Sequence, residues 1–112
     1  MGCIFCKIIA GEIPSKKVYE DDKIVAFYDL EPQAPVHVLI IPKTHIAYAD
    51  DITEENSEVV GYIFSKIPQI AKELKLENGY RIVNNCKADG CQSVFHLHFH
   101  LLGGTQLKGQ MA

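Results

Sequence analysis

The residues whose types and spacing point most directly to chemistry are three histidines in the segment His96–His100, where they alternate with large apolar side chains. An alternation of period two is typical of a β-strand, with the imidazoles on one face and Leu97, Phe99 and Leu101 directed into a core. Every buried imidazole needs hydrogen-bond partners, so three on one strand face are unfavourable unless they serve a function. We therefore interpret these histidines as functional.

The geometry of a strand limits what the three rings can do together. Alternate residues lie about 6.6 Å apart along a strand, so the outer two histidines would be about 13 Å apart. A zinc–nitrogen bond is only about 2.0–2.1 Å long, so two neighbouring rings could share a metal ion, but three hardly could. The spacing predicts that at least one imidazole acts as a catalyst or nucleophile beside an anionic substrate.

Composition restricts the function classes. The chain has 112 residues, 47% hydrophobic and 22% charged, which is ordinary for a single globular domain spanning 1–112. A net charge of -3 and a pI near 5.9 argue against a surface that binds nucleic acid. With no long apolar segment or charged leader in the sequence, we expect no membrane association and a cytoplasmic location.

The remaining sequence predicts the elements that must position the histidines. A short helix is expected over 3–10, and a long amphipathic helix is expected to begin at the N-cap Thr53, kink or restart at Pro68 and close at Asn78-Gly79. Strands are expected at 18–20, 24–28, 36–41, 80–84 and the histidine segment. The last two should pair antiparallel. The fold class is therefore α+β, a mostly antiparallel five-stranded sheet with one long and one short helix. His37 is expected to be a hydrogen-bonded core residue, and the tail 105–112 to be flexible.

The segment Asp89–His100 resembles the histidine triad nucleotide-binding proteins, which carry the same alternating histidines. The likeness extends over nearly the whole chain and points to that family's branch of nucleoside phosphoramidate hydrolases. It is carried by Cys3–Cys6, Glu12–Pro14, Glu20–Asp22, Ala26–Asp29, Pro32–His37 and Ile41–His45.

The resemblance implies a homodimer with paired sheets that hydrolyses purine nucleoside monophosphate derivatives at a phosphorus–nitrogen bond. It assigns His98 as the nucleophile, and His100 and Ser93 as contacts of the α-phosphate, with Ser93 near the leaving nitrogen. A neutral imidazole attacks through one nitrogen while the other keeps its proton on an acceptor, and either a backbone carbonyl or His96 is expected to orient the catalytic ring in this way. The nucleotide-binding set comprises Asp29 on the ribose, Ile13, Phe27 and Leu30 around the base, and Asn85 and Gln92 on the phosphate side.

A structural zinc ion is also expected. Cys3 and Cys6 have a metal-ligand spacing, and His45 and His96 complete a possible tetrahedron, as in several relatives with this cysteine pair. The alternative is a pair of buried free thiols. Catalysis itself should need no metal ion.

Three departures from the family pattern concern substrate preference. Lys87 and Cys91 stand where relatives commonly have glycines, and the tail lacks the Trp-Pro-Pro-Gly-like ending of some relatives. Three alternative functions remain open: a nucleotide-binding regulatory module with weak catalysis, a dinucleoside polyphosphate hydrolase, and a metalloenzyme that uses the His-x-His pair.

Overall fold

The structure is a computed structural model that describes residues 2–111. Its elements are listed in chain order: α1 (Ile4–Ile9), β1 (Lys17–Glu20), β2 (Ile24–Tyr28), β3 (Val36–Pro42), a 3-10 turn (Ala49–Asp51), α2 (Glu58–Glu73), β4 (Arg81–Val83) and β5 (Phe99–Gly103). The five strands form one sheet in the order β1-β2-β3-β5-β4, and every pairing is antiparallel. The predicted fold class, including one long and one short helix, is confirmed.

The sheet buries both faces because a helix covers each of them. On one face, α2 packs Ile63, Ile67 and Ile70 against β-strand residues such as Ile40 and Leu101. On the other face, α1 contributes Phe5 and Ile8 to a smaller cluster, which also contains Val25, Phe27, Leu39 and Ile41. Strands buried on both sides explain why β2 and β3 are continuous apolar runs in the sequence.

The register of the sheet places functional side chains on the α1 face. Phe27 pairs with Leu39, Leu39 pairs with His100, and His100 pairs with Val83. Because side chains alternate along a strand, the side chains of this row point to one face of the sheet. His37 precedes Leu39 by two residues in β3, so its side chain lies on the same face. The sheet therefore brings His37 beside His100.

The histidine segment differs from its prediction, because only Phe99 onward belongs to β5. Residues 96–98 leave the ladder, since the Leu97 amide donates to the Ile46 carbonyl at 2.6 Å and the Asn84 side chain donates to the His98 carbonyl at 3.0 Å. The prediction that all three histidines lie on one strand is therefore wrong, although the Phe5 ring packs against both His96 and His98, and His98 packs against His100. Outside the ladder, His96 places its Nδ1 beside Cys3 and His45.

The predicted start and end of the long helix are also wrong. Thr53 and Asn56 cap each other in a turn, and α2 begins only at Glu58. The helix continues through Pro68 without a break and ends at Glu73, after which Lys75 adopts a left-handed conformation with φ 62°. None of the described helices is long and apolar enough to cross a membrane.

The tail carries no helix or strand over 105–111, although the Arg81 guanidinium donates to the Lys108 carbonyl. Ala112 lies outside the described residues. Flexibility of the tail stays a prediction.

Candidate active site

A cavity of about 210 Å³ opens on the α1 face of the sheet, beside His98 and His100. Seven of the predicted nucleotide-contacting residues line it: Ile13, Phe27, Asp29, Leu30, Ser93, His98 and His100. Its polar groups include a carboxylate, hydroxyls and two imidazoles, and its other walls are apolar. Such a cavity suits a ligand with an apolar ring system and an anionic, hydroxyl-bearing part.

Asn85 and Gln92 do not line this cavity, although both were predicted on the phosphate side. The Gln92 amide is buried and donates to the carbonyls of Ala47 and Val94, while its oxygen accepts from the Lys87 amide. Asn85 donates to the Gly90 carbonyl at 2.7 Å. Both side chains hold the 85–92 loop in shape, and their contact with phosphate stays a prediction.

The loop before Ser93 requires two left-handed residues, Lys87 at φ 60° and Cys91 at φ 63°. These are the positions where the resemblance expects glycines, which adopt this conformation without strain. Gly90 is fixed by a different constraint, because a β-carbon there would lie 2.6 Å from the Cys86 carbonyl oxygen. The backbone strain at Lys87 is partly offset by an ion pair, since the Lys87 ammonium lies 2.7 Å from the Asp50 carboxylate.

The ring nitrogens of His98 are distinguished by their surroundings. Nδ1 lies 2.8 Å from the main-chain oxygen of His96, which can only accept, so Nδ1 carries the proton. In the neutral ring, Nε2 therefore has a free lone pair. The imidazole is 3% exposed and lines the cavity, so this arrangement suits a nucleophile directed at a bound ligand.

His37, which the sequence analysis placed only in the core, fixes the tautomer of His100. The Gln33 amide donates to His37 Nδ1 at 3.0 Å, so the proton of neutral His37 lies on Nε2. That N–H donates to His100 Nδ1 at 2.8 Å, which leaves the His100 proton on Nε2. His100 can therefore present an N–H donor to an anion in the cavity.

Both of these rings are neutral at pH 7. Burial, with smaller contributions from the neighbouring His98 and His37, lowers the pKa of His100 to about 4. Burial also lowers the pKa of His37, and the Asp29 carboxylate, 3.4 Å from Nε2, only partly opposes this. Neutral rings are what the donor and acceptor assignments above require.

Asp29, His37 and His100 have potential ligand atoms within 4.8 Å of one another, but they do not suit a metal ion. A neutral imidazole has a single lone pair, and that of His37 already accepts the Gln33 amide. Binding a cation through Nε2 would break this bond or demand an imidazolate. The cluster is therefore a hydrogen-bonded chain from the Gln33 amide through His37 to His100, with the Asp29 carboxylate 3.4 Å from His37 Nε2.

A second cluster does suit a metal ion, and it consists of Cys3, Cys6, His45 and His96. Its four ligand atoms lie within 4.8 Å of one another, with His96 Nδ1 3.3 Å from Cys3 Sγ and 3.1 Å from His45 Nδ1. The edges of a Cys₂His₂ zinc tetrahedron are about 3.3–3.8 Å, from bond lengths of about 2.0–2.3 Å. These residues could therefore hold a metal ion.

Charge and tautomer support this fit. His96 Nε2 donates to the Pro42 carbonyl at 2.8 Å, which leaves Nδ1 free to bind a cation. Burial lowers the pKa of His96, so the neutral ligand form is favoured. Burial and the adjacent Cys3 raise the pKa of Cys6 to about 11 without a cation, so a positive ion is needed to keep the Cys6 sulfur as a thiolate at pH 7.

Several lining residues were missed by the sequence analysis, including Phe5, Ser15, Tyr28 and Leu39. Ser15 Oγ is the one buried side-chain polar atom within residues 2–111 that lacks a hydrogen-bond partner. Apolar periodicity marked Phe5 and Leu39 only as core. Their place beside the cavity depends on strand register, which the sequence does not display.

Comparisons with known proteins agree with this geometry. The family model described as "HIT domain" matches residues 10–107. The chain is 51% identical over 110 residues to the "14 kDa zinc-binding protein" of Zea mays, with 94% of this chain and 84% of that protein covered.

Two solved structures have the same fold. The HIT family hydrolase from Legionella pneumophila Philadelphia 1 has a TM-score of 0.93 and 48% identity, covering 96% of this chain and 97% of that one. The histidine triad nucleotide-binding protein from Candida albicans has a TM-score of 0.81 and 36% identity, covering 99% and 86%. A domain match across most of the chain and these levels of identity lead to one conclusion: the protein belongs to the HIT domain family.

Proposed function

We propose that this protein hydrolyses purine nucleoside phosphoramidates through a covalent nucleotidyl-histidine intermediate on His98. The observation that carries the proposal is the fixed tautomer of His98, whose Nδ1–H donates to the His96 carbonyl at 2.8 Å while the ring lines the cavity. The relative from L. pneumophila is named a hydrolase, and the relative from C. albicans is named nucleotide-binding. Both names agree with this activity.

The first chemical step forms one bond and breaks one. His98 Nε2 attacks phosphorus, the phosphorus–nitrogen bond of the substrate breaks, and the amine departs with a proton relayed by the Ser93 hydroxyl. His100 Nε2–H donates to a non-bridging phosphate oxygen and stabilises the charge that develops there. Asp29 accepts hydrogen bonds from the ribose hydroxyls, and Ile13, Phe27 and Leu30 enclose the base.

The second step returns the enzyme to its starting state. Water attacks phosphorus, the bond to His98 breaks, and the nucleoside monophosphate leaves, while the proton that the water gives up replaces the one that the Ser93 hydroxyl passed to the amine. Splitting one displacement into two lets the same groups serve each half-reaction.

The direct test is turnover of an adenosine phosphoramidate by wild type and by His98→Ala. We expect a loss of roughly 10⁴-fold or more, the size usual for removal of a nucleophile. Gln69→Ala, on an exposed position of α2, is the control and should retain the wild-type rate. Equal rates for wild type and His98→Ala would exclude the proposal.

The alternative of a nucleotide-binding module with weak catalysis is favoured by Lys87 and Cys91, which are left-handed without being glycine. It predicts that nucleoside monophosphates bind while phosphoramidates are not turned over. Comparing turnover of a diadenosine polyphosphate with that of the phosphoramidate separates the hydrolase alternatives.

We further propose that the metal bound by Cys3, Cys6, His45 and His96 is zinc and that it is structural. The relative from Zea mays, 51% identical to this chain, is named zinc-binding, which supports the choice of ion. When bound, zinc supplies a positive centre that joins the start of α1 to the segment after β3 and to the segment before β5. Protein purified without chelator should contain about one zinc per chain, and a near-zero content would contradict the proposal.

The homodimer implied by the resemblance is likewise a proposal. Within the described residues, β4 lies at one end of the sheet with its outer edge unpaired. A second copy could extend the sheet at that edge. Light scattering behind size exclusion measures the mass directly, and a monomer at micromolar concentration would contradict the dimer.

A further inference from the structure

Phe5 lies between the metal cluster and the proposed nucleophile. In sequence it stands between Cys3 and Cys6, and its side chain is 6% exposed. Its ring centroid lies 5.2 Å from that of His98, with an interplanar angle of 88°, and 5.9 Å from that of His96. One aromatic ring therefore contacts both a candidate metal ligand and the catalytic imidazole.

The contact of Phe5 with His98 complements the hydrogen bond that His98 makes through Nδ1. The His96 carbonyl holds Nδ1–H, but a single hydrogen bond leaves an imidazole able to rotate, because its terminal torsion is broad. A perpendicular ring packed against it restricts that rotation. The direction of the Nε2 lone pair depends on both restraints.

The position of Phe5 depends in turn on the cluster. Helix α1 has only six residues, and its N-cap is the Cys3 sulfur, which accepts the Cys6 amide at 3.2 Å. Helices this short are not stable by themselves, so tertiary contacts must hold α1 in place. A cation bound by both sulfurs would fix the chain on either side of Phe5.

A second connection runs through His96. Its Nδ1 faces the sulfurs, and its main-chain oxygen is the acceptor that orients His98. The cluster thus reaches the nucleophile by two routes, and neither requires the cation to touch a substrate.

We propose that Phe5 is a positioning residue for His98, and that the cation at Cys3, Cys6, His45 and His96 sets the position of Phe5. The inference rests on the proposed function of His98. A positioning role of Phe5 differs from a role in the apolar wall of the cavity alone. A wall residue would affect ligand affinity and not the rate of bond formation at phosphorus.

The first experiment separates these roles with matched aromatic substitutions. Phe5→Leu is compared with Phe27→Leu, which removes a second cavity ring that contacts Phe5, and with Phe64→Leu, which removes an aromatic pair on the opposite face of the sheet. Single-turnover mixing gives the maximal rate of nucleotidyl transfer, and titration with a nucleoside monophosphate gives Kd.

Phe5→Leu should lower the maximal rate about tenfold, the size of effect expected from misorienting a reacting group, with little change in Kd. Phe27→Leu is the variant of a wall residue and should raise Kd, whereas Phe64→Leu should change neither the maximal rate nor Kd. If Phe5→Leu lowers the rate no more than Phe27→Leu does, Phe5 is only a wall residue and the proposal fails. Phe5→Met, which keeps the volume without the ring, replaces Phe5→Leu if the latter does not fold.

The second experiment tests the link to the cation and has a readout apart from activity. Imidazole signals of His98 are followed by NMR in zinc-loaded and chelator-treated protein without nucleotide. Removal of zinc should shift or broaden these signals in wild type and do so less in Phe5→Leu, where the contact is already lost. Equal changes in the two proteins, or none in wild type, would overturn the link.

The two experiments also distinguish failure of this inference from failure of the proposed function. If wild type does not hydrolyse phosphoramidates, the NMR comparison still reports whether Phe5 orients the ring. If wild type is active and Phe5→Leu matches it in rate and in His98 signals, the inference alone is wrong.

Discussion

His37 provides the sharpest test of the tautomer argument, because it contacts His100 but does not itself line the cavity. Replacing it by Phe removes the N–H that donates to His100 Nδ1 at 2.8 Å. His100 is then left with an unpaired acceptor, or it moves its proton to Nδ1 and loses the donor at Nε2. In either case the N–H available for a phosphate oxygen is weakened.

The expected size follows from the cost of a buried acceptor without a partner, about 1–3 kcal/mol. In a rate constant this corresponds to roughly 5- to 150-fold. The loss should appear mainly in the maximal single-turnover rate with an adenosine phosphoramidate, because the hydrogen bond strengthens as negative charge develops on the phosphate oxygens.

His37→Gln is the matched variant, since its amide N–H can still donate toward His100 and should restore part of the rate. Thermal unfolding of both variants controls for a loss of folded protein. If His37→Phe stays within twofold of wild type, the chain from Gln33 through His37 to His100 does not set the proton on His100.

Three further predictions concern stability. Cys91→Gly should raise the free energy of unfolding by about 0.5–1 kcal/mol, because the strain of a non-glycine residue at φ 63° exceeds the entropy cost of glycine. Cys91→Ala keeps the β-carbon and should give no such gain in urea unfolding. Ser15→Ala should stabilise the ligand-free protein by about 1 kcal/mol, since it deletes a buried hydroxyl without a partner; a clear destabilisation in the same assay would show that the hydroxyl is satisfied. The pKa of His100 falls to about 4 in the folded protein, so between about pH 4 and 6.5 the unfolded chain binds more protons than the folded one. The contribution of His100 to the free energy of unfolding should therefore be fully present above this pH window and be lost as the pH falls through it. His100→Gln should reduce this dependence by up to one proton taken up on unfolding, and an unchanged dependence in urea titrations would contradict the assignment.

Local patterns predicted most of the sheet and the identity of the chemical groups. The apolar runs gave β2 and β3 nearly to the residue, and the cavity contains the predicted Asp29, Ser93, His98 and His100. The strands follow from apolar runs and the histidines from period-two alternation, which a single sequence displays, whereas Asp29 and Ser93 were assigned to the site only through the resemblance to the histidine triad family.

Features set by tertiary contacts were not predictable in the same way. His96 leaves the strand because Leu97 bonds to Ile46, a residue distant in sequence. His37 reaches His100 only through the register of β3 against β5. The delayed start of α2 reflects the local bonds of Thr53 and Asn56, which compete with helix formation.

The sheet order has a consequence for how the protein folds. Strands β1, β2 and β3 are neighbours in sequence as well as in space, whereas β5 joins β3 across a long connection that contains α2. Closing such a connection costs more chain entropy than forming a hairpin, so contacts between β3 and β5 should form late and slow the folding reaction. His37 and His100, 63 residues apart, face each other across this seam. During refolding, activity should therefore return only with the slowest structural phase.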